Sequence, residues 1–271
     1  MAKLFSFKAL ELYPLKKYQS LILELKQPYF DSTSINELEI FFAWVCSHLE
    51  VNSILITSKD PIFSRGLDLR EFKKMPQKGF EEMLNKFQRL IYSMFFLPQS
   101  IVMDLGEEAT GVGIEFGIGA DIRIARKGVK INFDHLRKGL VPSCGGVGFL
   151  ESIIPQTFVR KWILLAGNIS EGDLLNSGLI HELYDGSNLD LSHKYLKNIN
   201  KHPPIPRIQA KRSLLESFLP RIERALEFES KFAFAGMSLG DWKKILDNKK
   251  NPHSSPRDLS KLLKFKEKSR Q

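Results

Sequence analysis

The chain has 271 residues, of which 43% are hydrophobic and 11% aromatic, enough to build the core of one α/β domain with an appended helical region and to exclude wholesale disorder. Two cysteines, Cys46 and Cys144, fit neither a metal-ligand spacing nor a disulfide framework, and no apolar run nears the ~20 residues of a membrane span. A net charge of +9 leaves three partners in play: plain solvent around a basic surface, a phosphate-bearing small molecule, or nucleic acid.

In chain order, residues 1–8 show no secretory pattern, so a reducing, cytoplasmic setting without a membrane partner is expected. Residues 20–25 read as a strand, and Ser53–Thr57 as a fully buried one. Between them Ile35, Leu38, Phe41, Phe42, Val45 and Leu49 recur at helical spacing, with Ser32 or Ser34 placed to cap the start. A second helix puts Phe80, Met83, Leu84, Phe87, Leu90, Ile91, Met94 and Phe95 on one face and ends before Pro98. The strand Ser100–Leu105 follows, then a glycine-rich turn, a short helix and the strand Asp121–Arg126. Such alternation implies parallel pairing through helical crossovers. From Gln156 the pattern is mostly helical, broken at Pro203, Pro204 and Pro206. From about Asn251 the tail is polar, Lys-rich and expected to be mobile. Only Trp242 and Phe265 interleave with the basic positions between Lys243 and Arg270, so nucleic-acid binding is not expected.

Two glycine-containing stretches each follow a strand: Pro61–Arg70 and Gly106–Asp121. Gly111-Val-Gly113 is not a dinucleotide fingerprint, because its third glycine position falls on Phe116 and the preceding strand is not the first of the fold. A helix whose N-terminal amides point into a cleft is the better inference, and such a terminus favours negative charge. No metal or redox cofactor is implied.

Phe63-Ser-Arg-Gly-Leu-Asp-Leu-Arg70 resembles the segment F-S-A-G-A-D-L-K of the crotonase (enoyl-CoA hydratase/isomerase) superfamily. Gly111-Val-Gly-Ile-Glu-Phe followed by Gly119-Ala-Asp-Ile-Arg-Ile-Ala125 resembles G-G-G-x-E-L-A-L-A-C-D-I-R-I-A. Gly139-Leu-Val-Pro-Ser-Cys-Gly-Gly146 resembles G-L-x-P-G-x-G-G, and the stretch from Leu164 to Ile180 matches a fourth motif. The matches run in order over roughly residues 20–185, and the sequence is identified as a divergent member.

The resemblance implies an α/β fold with a crotonase-like ββα spiral core over residues 1–195. A C-terminal helical trimerisation region with a basic tail would occupy 196–271. It also implies an acyl-CoA thioester as partner, a homotrimer or dimer of trimers, and lyase or isomerase chemistry in fatty-acid metabolism. The backbone N–H groups of Leu67 and Val112 would form an oxyanion hole for the thioester oxygen, where loss of one donor costs about 3 kcal/mol. Ser64, Arg65, Gly66, Asp68, Arg70 and Gly111 would bind substrate. Arg70 is either a CoA-phosphate ligand or a surface charge.

For catalysis the resemblance offers Glu115 as acid/base, the bland reading being a first-turn carboxylate favoured by the helix dipole. His135 stands where the family has a second glutamate; it is a titrating acid/base, or a satisfied histidine with Asp134 as substitute. Glu107 and Glu108 are expected near the acyl chain, and an early A-L-N signature is absent from Pro28–Thr33. Two readings stay open: an enzyme with Glu115 as principal acid/base, or a catalytically reduced relative that binds acyl-CoA without hydratase activity.

Overall fold

The structure, a computed structural model, describes residues 5–248. Among the described residues nine strands form two sheets: β1 (Leu10–Leu15), β2 (Ser20–Leu25), β3 (Ser53–Ser58), β4 (Ile62–Ser64), β5 (Ser100–Asp104), β6 (Glu108–Thr110), β7 (Ile122–Arg126), β8 (Lys130–Asn132) and β9 (Glu182–Tyr184). The larger sheet runs β1-β2-β3-β5-β7-β9, antiparallel only between β1 and β2. The smaller parallel sheet runs β4-β6-β8. Each of the pairs β3–β4, β5–β6 and β7–β8 sends one strand to the large sheet and the next to the small one. Helical crossovers return the chain, giving the ββα spiral that the motifs imply.

The helices are α1 (Ser32–Cys46), α2 (Leu69–Phe72), α3 (Gln77–Phe96), α4 (Val112–Ile118), α5 (Leu150–Ile153), α6 (Gln156–Leu165), α7 (Glu171–Asn176), α8 (Asn188–Ile199), α9 (Pro204–Glu216), α10 (Leu219–Ser238) and α11 (Asp241–Asn248). Central strands β3 and β5 are buried along nearly their whole length because helices cover both faces. Ile54, Ile56, Ile101 and Met103 enter the main core, while Leu55 and Val102 pack under Leu196 of α8. On α3, Phe80, Leu84, Phe87, Leu90, Ile91 and Met94 are buried as the periodicity predicts. Phe87 stacks at 5.8 Å on Phe116 and lies 4.8 Å from Phe30, which ties α3 to α4.

Three expectations change. Asp31, not Ser32 or Ser34, caps α1: its carboxylate accepts from the Ser34 amide at 2.7 Å, and the Ser34 hydroxyl accepts from the Asp31 amide at 2.9 Å. Leu49 lies past the helix end and is exposed. Pro203, Pro204 and Pro206 open α9 rather than break it, since a first helical turn has no use for their missing N–H. The tail from Asn251, and the basic residues after Asn248, lie outside the described residues. Among the described residues no helix is long and apolar enough to cross a membrane.

Candidate functional site

The loop after β4 is held from one side by the segment before α1. The Phe30 amide donates to Gly66 O at 2.8 Å and the Asp68 amide to Phe30 O at 2.9 Å, a parallel bridge that straddles Leu67. In such a bridge the straddled residue directs its own N–H away from the partner. Gly66, at φ +89°, turns the loop against α4 so closely that a Cβ there would lie 3.2 Å from the Val112 nitrogen. That is the requirement for glycine. Val112 is the first residue of α4, so its N–H has no intrahelical acceptor. Among the described residues neither the Leu67 nor the Val112 amide donates a hydrogen bond.

Both residues line a small, largely apolar cavity with His135, Phe80, Leu84 and Met237. The Val112 side chain, where the family pattern has glycine, forms part of that wall. Glu115 sits one turn into α4, fully buried at 0% exposure and behind the wall. Its Oε1 accepts from the Gly146 amide at 2.9 Å, and its Oε2 faces His135 Nε2 at 3.3 Å. That carboxylate oxygen and both imidazole nitrogens are buried without a well-formed hydrogen bond. Sequence and structure thus bring Glu115 and His135 together, with the imidazole nearer the cavity. Asp134 lies apart from them: it pairs with Lys138 at 2.9 Å and lines a separate groove.

That groove adjoins the cavity through Leu67 and carries Arg65, Arg70, Lys130, Arg137 and Lys138. Arg65 and Lys130 share Glu108 at 3.5 and 3.1 Å. Glu108 therefore belongs to the polar groove, and Glu107 pairs with Arg126 at 2.6 Å, so neither lines the apolar cavity as expected. The remaining predicted residues shape the backbone. Ser64 is buried, its hydroxyl accepting from the Gly66 amide at 3.1 Å, and it lines neither the cavity nor the groove. Asp68 caps α2 by accepting from the Arg70 and Glu71 amides, while its edge still lines the groove. Gly111, at φ +56°, precedes α4 and abuts Asp134.

Sequence reasoning missed Glu229. It is buried on α10, where its carboxylate accepts from the amides of Gly145 (2.8 Å), Gly148 (3.1 Å) and Val147. The signal was present: Ile222, Leu226, Glu229, Ala233 and Met237 recur at helical spacing, which puts one glutamate on the apolar face. Burial, and then the Glu115 charge, push the Glu229 carboxyl up to about 8, against the opposing pull of those amides. Burial likewise pushes the neighbouring Cys144 thiol up. No three His, Cys, Asp or Glu side chains gather as a metal site among the described residues.

A sequence model described as enoyl-CoA hydratase/isomerase matches residues 21–249. The short-chain-enoyl-CoA hydratase of Clostridium acetobutylicum is 25% identical over 206 residues, covering 74% of this chain and 77% of that protein. The ethylmalonyl-CoA decarboxylase of Homo sapiens is 27% identical over 192 residues, covering 66% of this chain and 60% of that one. Among solved structures, the enoyl-CoA hydratase of Bacillus halodurans superposes with a TM-score of 0.81 at 20% identity, covering 89% of this chain and 99% of that one. An enoyl-CoA hydratase/isomerase from Mycobacterium paratuberculosis gives 0.82 at 16% identity, covering 90% and 99%. The spiral fold, the ordered motifs and a family match over most of the chain agree, and the chain belongs to the enoyl-CoA hydratase/isomerase family.

Proposed function

We propose that this chain is an acyl-CoA enzyme of the hydratase/isomerase type. The thioester oxygen sits between the Leu67 and Val112 amides, the acyl chain enters the apolar cavity, and the CoA phosphates lie along the basic groove. The observation that carries this reading is a pair of unbonded main-chain amides, brought together by Gly66, beside a buried Glu115–His135 pair. Fixed amide donors stabilise an enolate without reorganising, the most economical way to lower this barrier.

In isomerisation of a 3-enoyl thioester, the pair takes a proton from the α-carbon. The electrons of that C–H bond move to the carbonyl oxygen, and the proton returns at the γ-carbon as the enolate collapses. In hydration, the pair takes a proton from water as its oxygen bonds to the β-carbon, and the α-carbon of the enolate is protonated in turn. His135 faces the acyl group, and Glu115 behind it accepts or supplies the proton through the imidazole.

Arg70 and Arg137, which pair with no carboxylate among the described residues, support phosphate binding at the groove. Exposed Leu214, Phe218, Phe232 and Leu239 on and beside α9 and α10 support a homotrimer, or a dimer of trimers, built through the region 196–271. The free thiols Cys46 and Cys144 suit a reducing cytoplasm, with residues 1–195 as the acyl-CoA core.

A second reading, CoA binding without turnover, is favoured by His135 standing at the second glutamate position and by Val112 lining the cavity where the family pattern has glycine. Purified protein offered crotonyl-CoA and a 3-enoyl-CoA decides between them. Wild type should turn over at least one, with Glu115→Gln slower by about 10²–10⁴-fold. Equal inertness of both proteins, with CoA still bound, leaves only the binding reading.

A further inference from the structure

The turn Gly145–Gly148 is held from two sides by buried carboxylates of different helices. Four consecutive amides are shared out: Gly145, Val147 and Gly148 donate to Glu229 of α10, and Gly146 donates to Glu115 of α4. Gly146 is so close to that carboxylate that a Cβ on it would stand 2.2 Å from Glu115 Oε1. Any shift of the turn is therefore passed directly to Glu115, and from its Oε2 to His135. A turn needs acceptors, but a neutral side chain would meet fewer of these donors than a carboxylate does.

We propose that Glu229 is a positioning residue for the proton-handling pair: it clamps the Gly145–Gly148 turn so that Glu115 meets His135. The inference rests on the reading of Glu115 and His135 as that pair. Beside the turn amides, Glu229 has the Glu115 carboxyl and the buried Cys144 thiol as neighbours.

The test is the NMR spectrum of the His135 imidazole in full-length protein, assigned by its loss in His135→Gln, together with kcat and KM on the enoyl-CoA substrates. Glu229→Gln and the shorter Glu229→Asp should each move the His135 resonances and lower kcat about tenfold at little-changed KM, and the aspartate variant serves also if the glutamine variant does not fold. A merely structural role would lower the melting temperature and leave the His135 resonances and kcat in place, and that result overturns the proposal. The spectrum needs no turnover. A wild type inert on every enoyl-CoA would end the functional reading and still leave the effect of Glu229 on His135 measurable.

Discussion

Gly146 illustrates how little freedom single positions at this site have. A methyl group there would meet Glu115 Oε1 at 2.2 Å and Pro142 Cβ at 2.9 Å, whereas one on Gly172 of α7 would meet nothing within 4 Å. Gly146→Ala is expected to displace Glu115 and cut kcat by about 10²-fold or more, at a stability cost of roughly 1–3 kcal/mol. Gly172→Ala should leave kcat unchanged and hold or raise the melting temperature, by up to about 1 kcal/mol of helix propensity. Steady-state kinetics and thermal melts of the two variants check this contrast. At this scale the structure brings Glu115, His135, Leu67 and Val112, which the motifs single out, to one place. It sets Ser64 beneath the loop and Glu108 in the groove, because a motif fixes where the backbone passes and not what each side chain finds there.

The long helices were legible because their apolar residues repeat over several turns. The capping of α1 was read one or three positions late, since Asp, Ser and Thr crowd the stretch Asp31–Ser34 and all of them can cap. Strands β4, β6, β8 and β9 were not legible: three residues each is too short for an alternation to show. Strand β1 was missed for another reason. It is an edge strand with half-exposed residues and Pro14 within it, a composition that reads as loop. Helix α3 is tied to α4 through the contact of Phe87 with Phe116, and Phe30 packs on the same ring. Phe87→Ala, at a position with 0% exposure, should cost about 3–5 kcal/mol in urea unfolding with an unchanged m-value. A much smaller loss would mean that α3 repacks without it.

Over the whole molecule, part of the positive excess lies in the groove beside the cavity, where Arg65, Arg70, Lys130, Arg137 and Lys138 stand against Asp68, Glu108 and Asp134. Several of its cations are already paired with Glu108 and Asp134, so the attraction available to a polyanion is less than the bare count implies. CoA binding measured calorimetrically should weaken about tenfold between low and about 0.5 M salt, because exposed charges are screened beyond a few ångströms there. Arg70→Ala should weaken it mainly at low salt, and a salt-independent loss would remove Arg70 from phosphate recognition. The partner of the Gly145 amide lies 84 residues further along the chain, on α10. During synthesis, then, the ribosome releases the strands of both sheets before it releases the helix that fastens this turn. A nascent chain stopped short of α10 has its sheets in hand and the turn beside Glu115 still slack, so assembly of the scaffold and fastening of the site are separate events in time.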